Sequence, residues 1–246
     1  MLNEETYKKL NDMKLYGLSA CFQDYLNQVD RDELTFEERF GLMVDTEWSE
    51  RQERKLKYRL GSAKLREQAC VEDIDYRHPR NLDRSVIQRL SACNWITNHE
   101  NIIITGPTGV GKTWLACALT NKACREGYNA RYERLPRLLH QLYISHADGS
   151  YAKEMTKLSK SAVLILDDLG LAPLKESERR DILEIIEDRQ GRKSIIVTSQ
   201  LPVSKWHDNI GDPTIADAIL DRLVHNAHRI ELKGKSLRKN RSVSKP

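Results

Sequence analysis

Apolar residues recur at helical spacing along the first 70 positions, with Leu10 and Met13 followed by Phe36, Phe40, Met43 and Val44. The stretch has no proline and no glycine-rich turn cluster, so it predicts helices and no strands. Thr35 followed by Glu38 is a capping box that predicts a helix start. That helix should run to about Arg66, with Gly61 as its weak point. His78 and Pro79 mark a loop, and from residue 84 the pattern changes. A helix over 84–98 precedes the apolar run Ile102 to Ile104, and a second helix reaches Ala123. Further strands are expected at 130–135, 162–166 and 194–198, with helices near Leu138 and over 181–189. A last helix leads into a strand at 229–232. Uninterrupted β-branched runs between helices need cover on both faces, which predicts an α/β fold around a central parallel sheet. The expected organisation is a small all-helical N-terminal domain (1–70), an α/β domain (71–235) and a basic tail (236–246).

Composition narrows the class. With 39% hydrophobic and 31% charged residues among 246, the chain can pack a core, which excludes whole-chain disorder. No apolar run reaches the ~18 residues of a membrane span, and the first residues lack an apolar signal core. A cytoplasmic protein with no membrane partner is expected. Five cysteines, with no CxxC pair and no His/Cys cluster at metal spacing, read as buried free thiols.

The net charge of +4 hides a strong asymmetry. Residues 1–50 carry five basic and twelve acidic side chains, whereas 51–66 carry seven basic against one acidic. Residues 222–246 carry eight against one. Two basic blocks flanking a domain suggest a polyanionic partner, with solvated helix faces and a tail as the plainer alternative. On the first reading Arg51, Arg54, Lys55, Arg59 and Arg66 form a charge ridge for DNA, without a base-reading motif.

Residues 106–113 read GPTGVGKT, a complete G-x-x-x-x-G-K-T between a strand and a helix. Gly106, Gly109 and Gly111 let the backbone wrap so that N–H groups converge on phosphates at a helix N-terminus. Lys112 brings a charge to the β- and γ-phosphates of ATP, and Thr113 offers its hydroxyl to Mg²⁺. The expected nucleotide segment is therefore Gly106, Pro107, Thr108, Gly109, Val110, Gly111, Lys112 and Thr113, followed by Trp114. About 55 residues later the strand of AVLILDDLG ends in two acids. Asp167 is assigned to the Mg²⁺ shell and Asp168 to polarising the attacking water. The interval holds one extra strand, which suits the additional-strand class of P-loop ATPases better than a kinase or GTPase layout. In SIIVTSQLP, one of Thr198, Ser199 and Gln200 is expected to reach the γ-phosphate or the water, and Gln200 is carried as the catalytic candidate. Arg222 can serve a neighbouring subunit's γ-phosphate or pair locally with Asp217 or Asp221.

Together GPTGVGKT, LILDDLG, IIVTSQLP, AILDRLVHNA and LKGKSLR resemble the IstB-type AAA+ ATPases, the transposition helper proteins of two-gene bacterial insertion sequences. The likeness runs from Arg51 to about Lys239, and is more distant to bacterial helicase loaders and replication initiators. It implies an AAA+ core behind a helical N-terminal domain, and ATP-dependent assembly of many copies on double-stranded DNA. It also implies selection or remodelling of target DNA and its delivery to a DDE-type transposase. Carried over by position, Lys112 and Thr113 match the phosphate loop, Asp167 the metal-coordinating acid and Arg222 the trans-acting arginine. Arg238 matches an arginine that contacts nucleotide as a second sensor. Many AAA+ proteins have Glu where this chain has Asp168, so slow hydrolysis is expected. Trp114 stands where relatives often have His or Asn, and reads as packing. Only 14 residues follow Leu232, too few for a full helical lid. A helicase loader, a small-molecule P-loop kinase and a nucleotide-gated DNA scaffold are the competing functions.

Overall fold

A computed structural model of the chain describes residues 2–27 and 34–237. It divides into two compact units, Met1–Tyr58 and Arg59–Pro246, and the boundary falls inside one long helix. In the first unit, α1 (Leu2–Asp12), α2 (Tyr16–Asn27) and the first part of α3 (Phe36–Ala63) pack together. The Thr35 amide donates to Glu38 Oε2 at 2.8 Å and the Glu38 amide to Thr35 Oγ1 at 3.3 Å, so the capping box starts α3 as expected. Leu15, which precedes α2, has no polar side chain to cap the helix. Glu47 of α3 supplies one, accepting the Gly17 and Leu18 amides at 2.8 and 3.3 Å. A Cβ on Gly17 would stand 2.8 Å from Glu47 Cα, so the close approach of these two helices requires glycine. Burial pushes the Glu47 pKa up, but hydrogen bonds from Arg51, Gly17 and Leu18 outweigh it and the carboxyl titrates below its ordinary value.

The second unit is built on a five-stranded parallel sheet. Ahead of it α3 ends at Ala63, three residues short of the expected Arg66, because Lys64 takes a left-handed φ of 51°. The expected helix over 84–98 is two, α4 (Arg84–Ser91) and α5 (Asn94–Thr97). Cys93 breaks it at φ 60°, which lets the Trp95 ring bury itself and donate to the Leu90 carbonyl at 3.0 Å. Then follow β1 (Asn101–Thr105), α6 (Lys112–Arg125), β2 (Ala130–Arg134), α7 (Leu135–Asp148), α8 (Tyr151–Lys160), β3 (Val163–Leu169), α9 (Glu176–Arg189) and β4 (Ser194–Ser199). The chain closes with α10 (Trp206–Ile210), α11 (Pro213–Val224) and β5 (Ala227–Glu231). Helices α8 and α10 have no counterpart in the expected pattern. The first is mostly polar, with Met155 and Leu158 as its buried residues, and the second is only five residues long.

Strand order is β2-β3-β4-β1-β5. The central strands β1 and β4 are buried throughout, as their apolar runs require, whereas the edge strands β2 and β5 are only partly covered. Ile102, Ile103 and Ile104 are almost fully enclosed, each worth about 1.5–3 kcal/mol on burial. A parallel sheet gathers the carboxyl ends of its strands along one edge, where α/β proteins hold their ligands. Here that edge receives the glycine loop after β1, Arg134 of β2, both acids of β3 and the polar end of β4.

Candidate nucleotide site

The loop after β1 is shaped by its glycines. Gly106 has φ 142°, and a Cβ there would stand 2.2 Å from the Leu232 carbonyl oxygen. At Gly109, φ 85°, it would meet Ser236 Oγ at 2.1 Å. The segment after β5 therefore lies against the loop, and the Leu237 amide donates to the Gly109 carbonyl at 2.9 Å. Helix α6 begins directly at Lys112 with no side chain capping its N-terminus, so its first N–H groups face the cleft. Val110 anchors the loop in the core. Lys112 is itself mostly buried and crosses the loop, donating to the carbonyls of Gly106 and Pro107 at 2.8 and 2.9 Å.

Asp167 is fully buried and is the focus of the polar contacts. Its Oδ1 accepts from Thr113 Oγ1 at 2.8 Å and from Thr198 Oγ1 at 2.6 Å, and its Oδ2 accepts from the Tyr132 hydroxyl at 2.7 Å. Between the pairs Leu166–Val197 and Leu169–Ser199 the β3–β4 register slips, leaving Asp167 and Asp168 opposite Thr198 alone. The bulge puts Asp168 at φ 69°, a conformation that Asp tolerates better than most residues. Its amide donates to Thr198 Oγ1 at 3.1 Å, and its carboxylate accepts from Arg134 Nε at 2.8 Å.

Thr113, Arg134 and Asp168 of this set open onto a cleft of about 560 Å³. Its wall includes Lys112, Thr113, Trp114, Asp168 and Gln200, along with Arg66, Arg80 and Arg134. The four cations share the wall with four carboxylates, Glu67, Asp73, Asp75 and Asp168, so Lys112 and the loop amides are what favour a polyphosphate. Arg80 is 6% exposed, and its Nε has no hydrogen-bond partner. Burial pushes its pKa down, although the nearby Asp75 works against this. Among the described residues no three His, Cys, Asp or Glu side chains cluster closely enough to hold a metal ion by themselves. Mg²⁺ asks for less: it is commonly held by one or two protein oxygens together with substrate phosphates and water. The paired Thr113 hydroxyl and Asp167 carboxylate fit that demand.

The other expected site residues separate into groups. Gln200 Oε1 accepts from Thr108 Oγ1 at 2.7 Å, at the mouth of the loop. Ser199 is buried and donates to the Leu169 carbonyl, Thr198 is buried against Asp167, and of the three candidates Gln200 lines the cleft. Trp114 packs with Leu65, Ala69, Val71 and Tyr132 over Cys117 and Ala118. Arg222 lies at the opposite end of the sheet, where Asn101 of β1 donates to its carbonyl at 3.3 Å. It cannot reach the phosphates of its own chain. Its local partner is neither Asp217 nor Asp221 but Glu187 of α9, at 3.0 Å. Arg238 lies outside the described residues; Leu237 before it lines the cleft.

The basic ridge does not act as one set. Arg51 and Arg54 flank the buried Glu47 at 2.5 and 3.6 Å, and the Arg54 guanidinium lies over the Tyr16 ring. Lys55 is exposed. Arg59 donates to the Cys124 carbonyl near the end of α6 at 2.8 Å, which gives it a structural task. Arg66, expected on the ridge, stands in the nucleotide cleft instead, 3.6 Å from Asp167. The chain turns out of α3 at Lys64, and Leu65, Ala69 and Val71 then pack beside α6, which carries Arg66 inward. Arg66, Arg80, Tyr132 and Arg134 escaped the sequence pattern as site residues. None belongs to a local motif, and only the strand order brings them to the phosphate loop.

Fold and site together define an AAA+ P-loop domain. DnaI superposes with a TM-score of 0.58 at 21% identity, over 67% of this chain and 91% of its own. The DnaC helicase loader superposes at 0.57 with 22% identity, over 70% and 100%. A model of the IstB-like ATP binding protein family matches residues 8–245, and the chain belongs to that family. An insertion sequence ATP-binding protein of Sinorhizobium fredii is 53% identical over 240 residues, covering 98% of both chains. That of insertion sequence IS21 from Pseudomonas aeruginosa is 33% identical over 229 residues, 93% of this chain and 86% of the other. No described helix is long and apolar enough to cross a membrane.

Proposed function

We propose that this protein is a Mg²⁺-dependent ATPase of insertion-sequence transposition. In this reading it assembles as a homo-oligomer on double-stranded DNA, selects or remodels the target and recruits a DDE-type transposase. The observation that carries the ATPase reading is the buried Asp167, held by Thr113 of the phosphate loop on one side and Thr198 of β4 on the other. The relatives, which are named for insertion sequences, support the transposition setting.

The geometry of the cleft supports the following roles for the residues around the phosphate loop, and the likeness to the family supports those of Arg222 and Arg238. Lys112 leaves its loop carbonyls for the β- and γ-phosphates, while the loop amides and the α6 N-terminus take the remaining phosphate charge. Thr113 and Asp167 would hold Mg²⁺, which when bound offsets the charge of the phosphates. Asp168 accepts the proton of the attacking water once Arg134 yields its carboxylate, and Thr198 keeps both acids in register. Arg222 acts on the nucleotide of a neighbouring subunit, and Arg238 reads the nucleotide from the segment after β5. The helical N-terminal unit carries Arg51, Arg54 and Lys55 toward the DNA backbone, whereas the ATPase core begins near residue 59.

The test is ATP turnover by the purified protein with and without duplex DNA, beside co-purification with the adjacent transposase or with a replicative helicase. Turnover that rises with DNA, together with capture of the transposase, is expected. Capture of the helicase alone would replace this reading with a loader, and turnover that rises with a metabolite and not with DNA would replace it with a kinase.

A further inference from the structure

A fully buried carboxylate needs a compensating charge as well as hydrogen bonds. Asp167 has three hydroxyl donors, from Thr113, Thr198 and Tyr132, all neutral. The cation at its Oδ2 is Arg66, 3.6 Å away. Arg66 also reaches the Tyr132 hydroxyl, which itself donates to that same Oδ2, so the three side chains form a connected set. The Arg66 side chain remains 44% exposed and lines the cleft with Lys112 and Thr113. It is thus anchored at the metal-holding acid with part of its guanidinium open to whatever enters. Its backbone is fixed independently, since Leu65 and Ala69 on either side pack beside α6.

We propose that Arg66 is a nucleotide-site residue, a counter-charge to Asp167 that competes with Mg²⁺ for this acid and that pairs with the polyphosphate through the open part of its guanidinium, with or without Mg²⁺. Two positive charges cannot share the Oδ2 side of Asp167 at low cost, whereas a phosphate oxygen gives the guanidinium a second partner within the same cleft. Arg suits both tasks, because its planar fork can leave one oxygen pair for another without losing its charge. The consequence is a residue just beyond α3 whose partner changes with nucleotide. This rests on the ATP-site reading above and assigns to that site a residue which sequence had placed on the DNA ridge.

The test compares wild type, Arg66→Gln, Arg66→Lys and Lys112→Ala by calorimetric ATP binding in EDTA, by Mg²⁺ titration of the ATP complex, and by salt-dependent DNA binding. Circular dichroism checks each fold, and the Lys variant keeps the charge where Gln loses it. In EDTA, Arg66→Gln should bind ATP about tenfold more weakly, the worth of one charge-assisted hydrogen bond. Its half-saturating Mg²⁺ concentration should fall, because a competitor has gone, and Arg66→Lys should lie close to wild type in both readings. Unchanged ATP affinity in EDTA for Arg66→Gln would overturn the proposal, as would a defect confined to the salt slope of DNA binding. Wild type that fails to bind ATP even with Mg²⁺ would overturn the ATP-site reading and this inference with it. Wild type that binds, beside a null Lys112→Ala and an unaltered Arg66→Gln, would strike down Arg66 alone.

Discussion

The Thr198 hydroxyl donates to Asp167 Oδ1 at 2.6 Å, from the strand next to the acid's own. Thr198 Oγ1 also accepts the Asp168 amide at 3.1 Å, so one side chain closes the bulge that sets two acids opposite a single residue. This relationship selects Thr198 as the β4 residue tied to both acids, with Gln200 held at the mouth by Thr108.

Thr198→Val keeps the shape but removes both bonds, leaving the Asp168 amide and one Asp167 lone pair unsatisfied. Stability should fall by about 1–3 kcal/mol, the usual cost of a buried polar group left without its partner. ATP turnover should drop while ATP affinity stays near wild type, and Thr198→Ser should recover most of it. Denaturant melts and steady-state turnover on the three proteins check this. A Val variant with full turnover would remove Thr198 from the mechanism.

Lys112→Ala should lose ATP binding with little change in fold. The ammonium donates to the Gly106 and Pro107 carbonyls of the loop at 2.8 and 2.9 Å, away from the hydrophobic core, so its removal should leave the core intact. Equilibrium dialysis with labelled ATP, beside a thermal melt, separates the two effects. A folded variant that still binds as wild type would mean that the loop amides suffice for phosphate recognition.

The parallel sheet and phosphate loop could be read along the chain because their signals are local. Ile102 to Ile104 is a buried run, GPTGVGKT turns at fixed glycines, and Thr35 and Glu38 cap a helix within four residues. What stayed hidden depends on distance in sequence. Tyr132 meets Asp167 across 35 positions and Arg134 meets Asp168 across 34, through strand pairing that no window along the chain reveals. Arg66 was misplaced for a related reason. A helix running to about Arg66 would put it on the ridge, but α3 ends at Ala63 and a left-handed Lys64 sends the chain elsewhere.

Asp168→Asn should bind ATP and hydrolyse it at least tenfold more slowly, in line with the ~10²–10⁴-fold contribution of a positioned general base. Asn is the right substitution, because it tolerates the left-handed backbone that φ 69° demands, whereas Ala adds strain. Its amide also loses the charge that Arg134 pairs with at 2.8 Å. Single-turnover rates and ATP affinity measured together check this. Wild-type hydrolysis would move the role of base to another group.

Arg222→Ala should bind ATP as a monomer yet fail to hydrolyse it on assembly. The arginine sits at the end of β1 remote from the phosphate loop and is held by Glu187 at 3.0 Å, so its own chain's nucleotide is beyond reach. Mixing Arg222→Ala with Lys112→Ala should restore part of the activity, because each supplies what the other lacks at a shared interface. No recovery at any ratio would assign Arg222 to the local pair with Glu187.

The DNA surface is best tested on exposed ridge residues that do not brace the ATPase core. Arg59 holds the end of α6 through the Cys124 carbonyl, so its loss should lower stability rather than DNA affinity. Arg54 and Lys55 are both exposed; Arg54 also lies over the Tyr16 ring and 3.6 Å from Glu47, so a thermal melt of the variant accompanies the binding measurement. Counterion release makes log affinity fall with log salt at a slope of about 0.9 per phosphate neutralised. Arg54→Ala with Lys55→Ala should therefore weaken duplex binding and flatten the salt slope by up to about two units without altering ATP affinity. ATP should strengthen binding by wild type more than by the double variant, since assembly multiplies whatever each copy contributes. Fluorescence anisotropy over a salt series, with and without ATP, gives both quantities. An unchanged slope would exclude these two residues and shift attention to the basic residues after β5.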